Sequence, residues 1–338
     1  MKKLTRILAI LIIVGLTMSV VAFFMGMDTN NLKAFFSDEN SYSEKLTHQT
    51  DKTFSKLILD VDVRDVTFFE STDHTFSMTY YVHETKDVWT FDDSVEGTYK
   101  ISQKENFRFS TIFNMKITPQ YLRKVEIFLP SDWMMDIDIK TATGSVRMQY
   151  EDLVMFNDIK FVSNTGSIYL ARIDSELMSL ETDTGSIMLE DVIIDSDIDF
   201  QTNTGYITLL NVATHNLNLV SDTGRINLTR VFGKKLVAKV DTGRITIVNS
   251  EFLHSLSAES STGDVIISLT DAASYTIKSS TGDVRVTLSD LSFLQYDLKT
   301  SVGKIYIDGD NQGNRHSTTT GTLLIKITVN TGNIHIED

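Results

Sequence analysis

Cysteine is absent from the 338 residues, and proline and tryptophan occur twice each. The lack of thiols excludes disulfides, thiol catalysis, a lipidated cysteine and cysteine-ligated metals, and leaves the redox compartment open. With so little proline and 41% apolar residues, the composition is that of a folded chain. Positive charge is also in deficit. Lys and Arg number 31 against 45 Asp and Glu, a net charge of −14, which repels nucleic acid. The seven histidines (His48, His74, His83, His215, His254, His316 and His335) have no metal-ligand spacing. Phosphate-binding loops and the G-x-S-x-G and H-E-x-x-H motifs are missing. So are calcium loops of the G-G-x-G-x-D or EF-hand type. No catalytic residue, cofactor or metal site is therefore assigned.

What the chain has instead is a recurring phrase, Thr182-Asp183-Thr184-Gly185-Ser186-Ile187 and its variants. It is anchored by Gly144, Gly166, Gly185, Gly205, Gly224, Gly243, Gly263, Gly282, Gly303 and Gly332, spaced by 22, 19, 20, 19, 19, 20, 19, 21 and 29 residues. A period near twenty over ten copies is the signature of a stacked repeat. Apolar residues alternate on both sides of each glycine, as in Leu217, Leu219, Ile226 and Leu228 around Gly224. Period-two alternation of branched residues predicts strands with one buried face. Each repeat thus reads as a strand, a corner at the glycine, a second strand and a return.

Two positions before the glycine stand Asn164, Asp183, Asn203, Asp222, Asp241 or Ser261, short polar residues suited to fixing a turn. Three before it, Thr141, Ser163, Thr182, Thr202, Ser221, Ser260, Ser279 and Thr300 are expected to bond one another as a hydroxyl ladder. Units of this length close into a single parallel β-solenoid of about ten rungs, spaced by ~4.8 Å. A propeller blade needs roughly 40–45 residues, twice the period found.

Residues 7–27 carry no charge over 21 positions, enough at ~1.5 Å per residue to cross the ~30 Å bilayer core. Lys2, Lys3 and Arg6 precede them, so the positive-inside rule expects residues 1–6 in the cytoplasm, 7–27 as an uncleaved signal anchor and the remainder outside. A cleaved signal peptide is the rival reading, with Val20 and Ala22 before the cut. Residues 28–53 read as a juxtamembrane linker. Residues 54–134 hold strands without the glycine repeat and many aromatics, and read as an N-terminal cap ahead of the repeat domain, 135–338.

Strand pairs leading to Val125-Glu126-Ile127-Phe128-Leu129-Pro130, then Thr143-Gly144-Ser145-Val146, then repeats of T-G-x-[IV]-x-[LVI] resemble the bacterial putative-adhesin family of β-strand-repeat domains. The resemblance covers Phe54 to Asp338. It implies the solenoid and a place in the cell envelope, and supplies no catalytic residues.

The residue after each glycine varies, and Arg225, Arg244, Asp264, Asp283 and Lys304 form a candidate surface-binding stripe. In sequence order Arg244 should neighbour Asp264, and Asp283 should neighbour Lys304. An insertion, Asp308 to Ser317, reads as a loop able to carry binding. The final rung, Ile325 to Ile336, is expected to end the stack, with Lys326, His335, Glu337 and Asp338 guarding its edge. These features point to a non-enzymatic, membrane-anchored envelope protein, monomeric in its ectodomain, that binds or spaces an envelope protein or polysaccharide. Its rivals are an accessory or stress-sensing subunit acting through a membrane partner, and a polysaccharide lyase or hydrolase.

Overall fold

The computed structural model describes residues 14, 15, 18, 39–105 and 118–338. Apart from Val14, Gly15 and Met18, the run 7–27 read as an anchor lies outside them. Among the described residues, no helix is long and apolar enough to cross a membrane.

The chain is all-β. Strands β1 (Leu46–Thr50), β2 (Lys56–Val63), β3 (Asp65–Glu70), β4 (Phe76–Tyr80), β5 (Asp87–Asp92), β6 (Thr98–Glu105) and β7 (Lys124–Leu129) precede the repeats. From β8 (Asp136–Thr143) and β9 (Val146–Thr165) onward, each rung pairs in parallel with the next. After the corner glycine, Val146, Ile168, Ile187, Ile207 and Ile226 stack in register, and all are buried. The alternating branched residues thus fill one continuous core running the length of the stack.

At the corner the hydroxyls do not bond one another. They donate to the carbonyl of the glycine one rung back: Thr182 to Gly166 at 2.9 Å, Thr202 to Gly185 at 2.9 Å, Ser221 to Gly205 at 3.2 Å. The reason is geometric. Each glycine carbonyl is aimed at the next rung's corner, leaving a buried acceptor that needs a donor. The same aim forces glycine onto the next rung. A Cβ on Gly224 would stand 1.6 Å from the Gly205 oxygen, and one on Gly243 only 1.5 Å from that of Gly224.

A second corner lies six residues on, and the repeat phrase does not announce it. Arg172, Asp191, Asn211, Arg230, Asn249 and Leu269 all take positive φ, between 47° and 57°. Asn and Asp adopt this left-handed conformation readily, and Arg and Leu do so at a cost.

The ends depart from chain order. At the proximal end β2 pairs in parallel with both β6 and β8, and β3 with both β7 and β9. Two strand pairs of the leading region are therefore rungs, which with ten glycine rungs makes twelve. Antiparallel β5 covers β6, β4 covers β7, and β1 covers β4. β1 falls within the segment read as linker. Its His48 stacks on Phe91 at 4.0 Å, and burial lowers its pKa.

The distal end repeats the device. Leu323–Thr331 pairs with Ser274–Thr281 on one side and with Leu294–Val302 on the other. The expected last rung is thus the penultimate one, and the Gly303 rung ends the stack. Its edge is closed by the insertion, whose Arg315–Ser317 and Asp310–Asn311 fold back antiparallel onto it. Lys326, His335, Glu337 and Asp338 therefore do not guard a terminal edge. Sequence order put the last repeat outermost, whereas the chain returns to insert it between two rungs.

Arg64 replaces the corner glycine in the β2–β3 rung, and its carbonyl faces Gly144. Its side chain is 1% exposed and turns inward to Asp87, itself fully buried. Asp87 also accepts from Gln103 at 2.9 Å and from the His83 amide at 2.8 Å.

Two stability predictions follow from these corners. Gly224→Ala or Gly243→Ala should cost more than about 3 kcal/mol in urea unfolding, because backbone must move. Gly313→Ala, where no atom lies within 4 Å of the added carbon, should cost only about 1 kcal/mol for its φ. Equal losses at the two kinds of site would refute the close approach. Arg64→Leu should cost about 3 kcal/mol by stranding the Asp87 carboxylate, a loss readable as a lowered midpoint in the same assay.

Candidate functional site

The position after the glycine forms one exposed or half-exposed column along the stack. In space it runs Asp65, Ser145, Ser167, Ser186, Tyr206, Arg225, Arg244, Asp264, Asp283, Asn333, Lys304, following the order of the corners. Chemistry divides it into three stretches. Toward the proximal end the side chain accepts the backbone N–H of the next rung's equivalent residue. Asp65 takes that of Ser145 at 2.9 Å, Ser167 that of Ser186 at 3.1 Å, and Ser186 that of Tyr206 at 3.2 Å. Toward the distal end Asp264 takes that of Asp283 at 3.1 Å, Asp283 that of Asn333 at 2.9 Å, and Asn333 that of Lys304 at 3.0 Å. These residues are short acceptors because the corner amide needs one.

The middle stretch is different. Tyr206 is too long to serve as a corner acceptor, Arg225 and Arg244 carry donors only, and all three stand out from the surface. The Arg225 guanidinium lies 5.8 Å from the Tyr206 ring centroid, within cation–π range. Arg244 pairs with Asp264 at 3.0 Å, as the sequence order predicted. Lys304 does not meet Asp283. Asn333 intervenes, because the last repeat is inserted there, and Asp283 pairs with Arg285 at 2.9 Å instead. Asp222 and Asp241, two positions before their glycines, are exposed and form no ion pair with either arginine. Among the described residues Arg225 has no ion pair and faces the Tyr206 ring, beside a second arginine one rung away.

Around this corner the charge of the chain changes sign. Residues 225–244 hold Arg225, Arg230, Lys234, Lys235, Lys239 and Arg244 against Asp241 alone. Residues 148–224 hold thirteen carboxylates against Lys160 and Arg172. This polarity is legible in the charged residues of the sequence, outside the glycine phrase. A hollow of about 390 Å³ lies near the junction, lined by Asp197, Asp199, Asn216, Asn218 and Lys235. Its polar rim is laddered from rung to rung, with Asn218 donating to Asp199 at 3.0 Å. Among the described residues, no group of three His, Asp or Glu could hold a metal ion.

A twelve-rung parallel solenoid with sealed ends and a polar corner column defines an all-β repeat protein. The family model described as Toastrack DUF4097 matches residues 54–337, and the chain belongs to that family. Three solved structures are similar to it at low identity. A putative adhesin from Bacteroides fragilis is 13% identical, with 87% of this chain and 97% of that one covered and a TM-score of 0.39. A putative lipid binding protein from Parabacteroides distasonis has the same identity and coverage and a TM-score of 0.46. A putative cell adhesion protein from Clostridium sporogenes is 10% identical over 87% and 98%, with a TM-score of 0.19. No curated protein matches the chain.

The column makes a graded prediction. Asp264→Ala removes both the Arg244 ion pair and the acceptor for the Asp283 amide, and should cost about 1–2 kcal/mol. Arg244→Ala removes only an exposed pair and should cost less than about 1 kcal/mol. Unfolding midpoints in urea for the two variants and wild type decide between a corner acceptor and surface charge alone.

Proposed function

We propose that the chain is a non-enzymatic, membrane-tethered protein of the cell envelope, whose solenoid stands outside the membrane and binds or spaces a partner there. The observation that carries this reading is the stack itself. Its two ends are closed by antiparallel strands, which leaves its long side faces as the surfaces open to contact. A rigid rod of rungs at ~4.8 Å spacing presents many weak contacts in fixed register, a geometry suited to an extended partner. The charges flanking residues 7–27 favour an extracytoplasmic solenoid, and the partner is an envelope protein or polysaccharide.

Topology tests the tether directly. Protease added to intact cells or protoplasts should degrade the protein beyond Met27, and the mature protein should keep its first residues. An N-terminal sequence starting at Phe23 would show cleavage and remove the anchor from the proposal.

A further inference from the structure

Beyond the second corner, outward-facing residues of successive rungs form another column: Met155, Asp174, Ile193, Ala213, Phe232 and Glu251, paired in register. Met155, Ile193 and Phe232 are 52%, 40% and 50% exposed. The residues before them, Val154, Val192 and Val231, are buried, so these large apolar side chains are not needed to fill the core. Their alignment in one column at every second rung distinguishes them from apolar residues scattered singly over a surface, which need no partner.

The spacing is regular. Met155, Ile193 and Phe232 recur at every second rung, or ~9.6 Å. Seven residues of α-helix rise ~10.5 Å, within about 1 Å of that step. Between Met155 and Ile193 stands Asp174, whose pKa is raised by burial and by the neighbouring charge of Asp195. A cation brought there would relieve that repulsion. From Met155 to Ile193 the column thus alternates apolar and acidic residues, at the end of the stack where carboxylates outnumber cations, and at Phe232 it enters the basic stretch that holds Arg230 and Lys234.

We infer that this face docks a basic amphipathic helix of a partner protein, lying near the solenoid axis. Its apolar residues, seven apart, sit on Met155, Ile193 and Phe232, and its cations meet Asp174 and Asp195. This is helix-in-groove recognition on the side of a sheet. An anionic membrane surface fits poorly, because the same carboxylates repel it. The inference rests on the reading of the stack as a binding surface, and it does not need the tether.

The test uses the full chain in zwitterionic nanodiscs, with empty discs as background. The probe is a fluorescein-labelled helix of about 18 residues, five turns, with leucines seven apart flanked by lysines, read by fluorescence anisotropy. The Met155→Ser, Ile193→Ser, Phe232→Ser triple variant should bind roughly tenfold more weakly, a loss of about 1.4 kcal/mol. Asp174→Asn with Asp195→Asn should also weaken binding, and its loss should shrink in high salt. Asp222→Asn with Asp241→Asn, the same charge change on another corner, should leave binding unchanged. The inference fails if a scrambled peptide of the same composition binds equally, or if the control pair weakens binding as much. It fails also if the triple variant binds like wild type. Should the triple variant melt early, the charge pair decides alone. Protease topology is read separately, so failure here leaves the tether standing and loss of the tether leaves this face standing.

Discussion

One close approach governs the stack. Each corner glycine points its carbonyl at the α-carbon of the glycine on the next rung, and a buried hydroxyl from that next rung satisfies the same oxygen. Remove the hydroxyl and a buried acceptor is stranded. Add a methyl and the two backbones collide. The ten-fold recurrence of glycine and the Ser or Thr three residues before it therefore express a single contact. Val240 and Val329, which take the hydroxyl position in two rungs and are fully buried, show that the donor is the softer requirement. The glycine recurs in all ten repeats, and the rung where Arg64 replaces it needs a buried carboxylate to hold the substitute.

This contact explains what could be read from the residues. The alternation around Gly224 or Gly282 reports burial, the period reports stacking, and together they specify a parallel solenoid. The second corner was harder to see. Three of its six repeat positions are Asp191, Asn211 and Asn249, residues that enter left-handed φ easily. Arg172, Arg230 and Leu269 break that pattern while keeping the conformation. There the neighbouring rungs impose a backbone that the local residue would not choose, so its type carries little signal.

Rung order was hidden for a different reason. Nothing local to Ile325-Lys326-Ile327 separates a final rung from a penultimate one, because its alternation and glycine match the others. Its place depends on where the chain goes between Asp308 and Thr322, and that depends on edges. A parallel stack must finish with an open strand at each end. Here both ends meet that need alike, with one rung inserted out of order and antiparallel strands laid over the outermost one. The same rearrangement redrew the candidate stripe. Asn333 entered between Asp283 and Lys304, whereas Arg244 and Asp264, far from either end, stood where simple counting puts them.

Sealed ends also constrain what the surface does. Along the axis the backbone amides and carbonyls are bonded from rung to rung, so recognition on a side face must come from side chains. On a parallel stack those side chains repeat at the rung spacing, and any partner feels columns rather than a pocket. Columns of short acceptors such as Ser167 and Asp264 are consumed by their own corner amides and offer little outward. Where long or apolar residues interrupt a column, as Tyr206 and Arg225 do at one corner and Ile193 and Phe232 do on another face, the stack no longer uses its own side chains. Those interruptions fall on both sides of the junction between an acidic and a basic stretch, so a partner spanning them would be read by shape and by charge together.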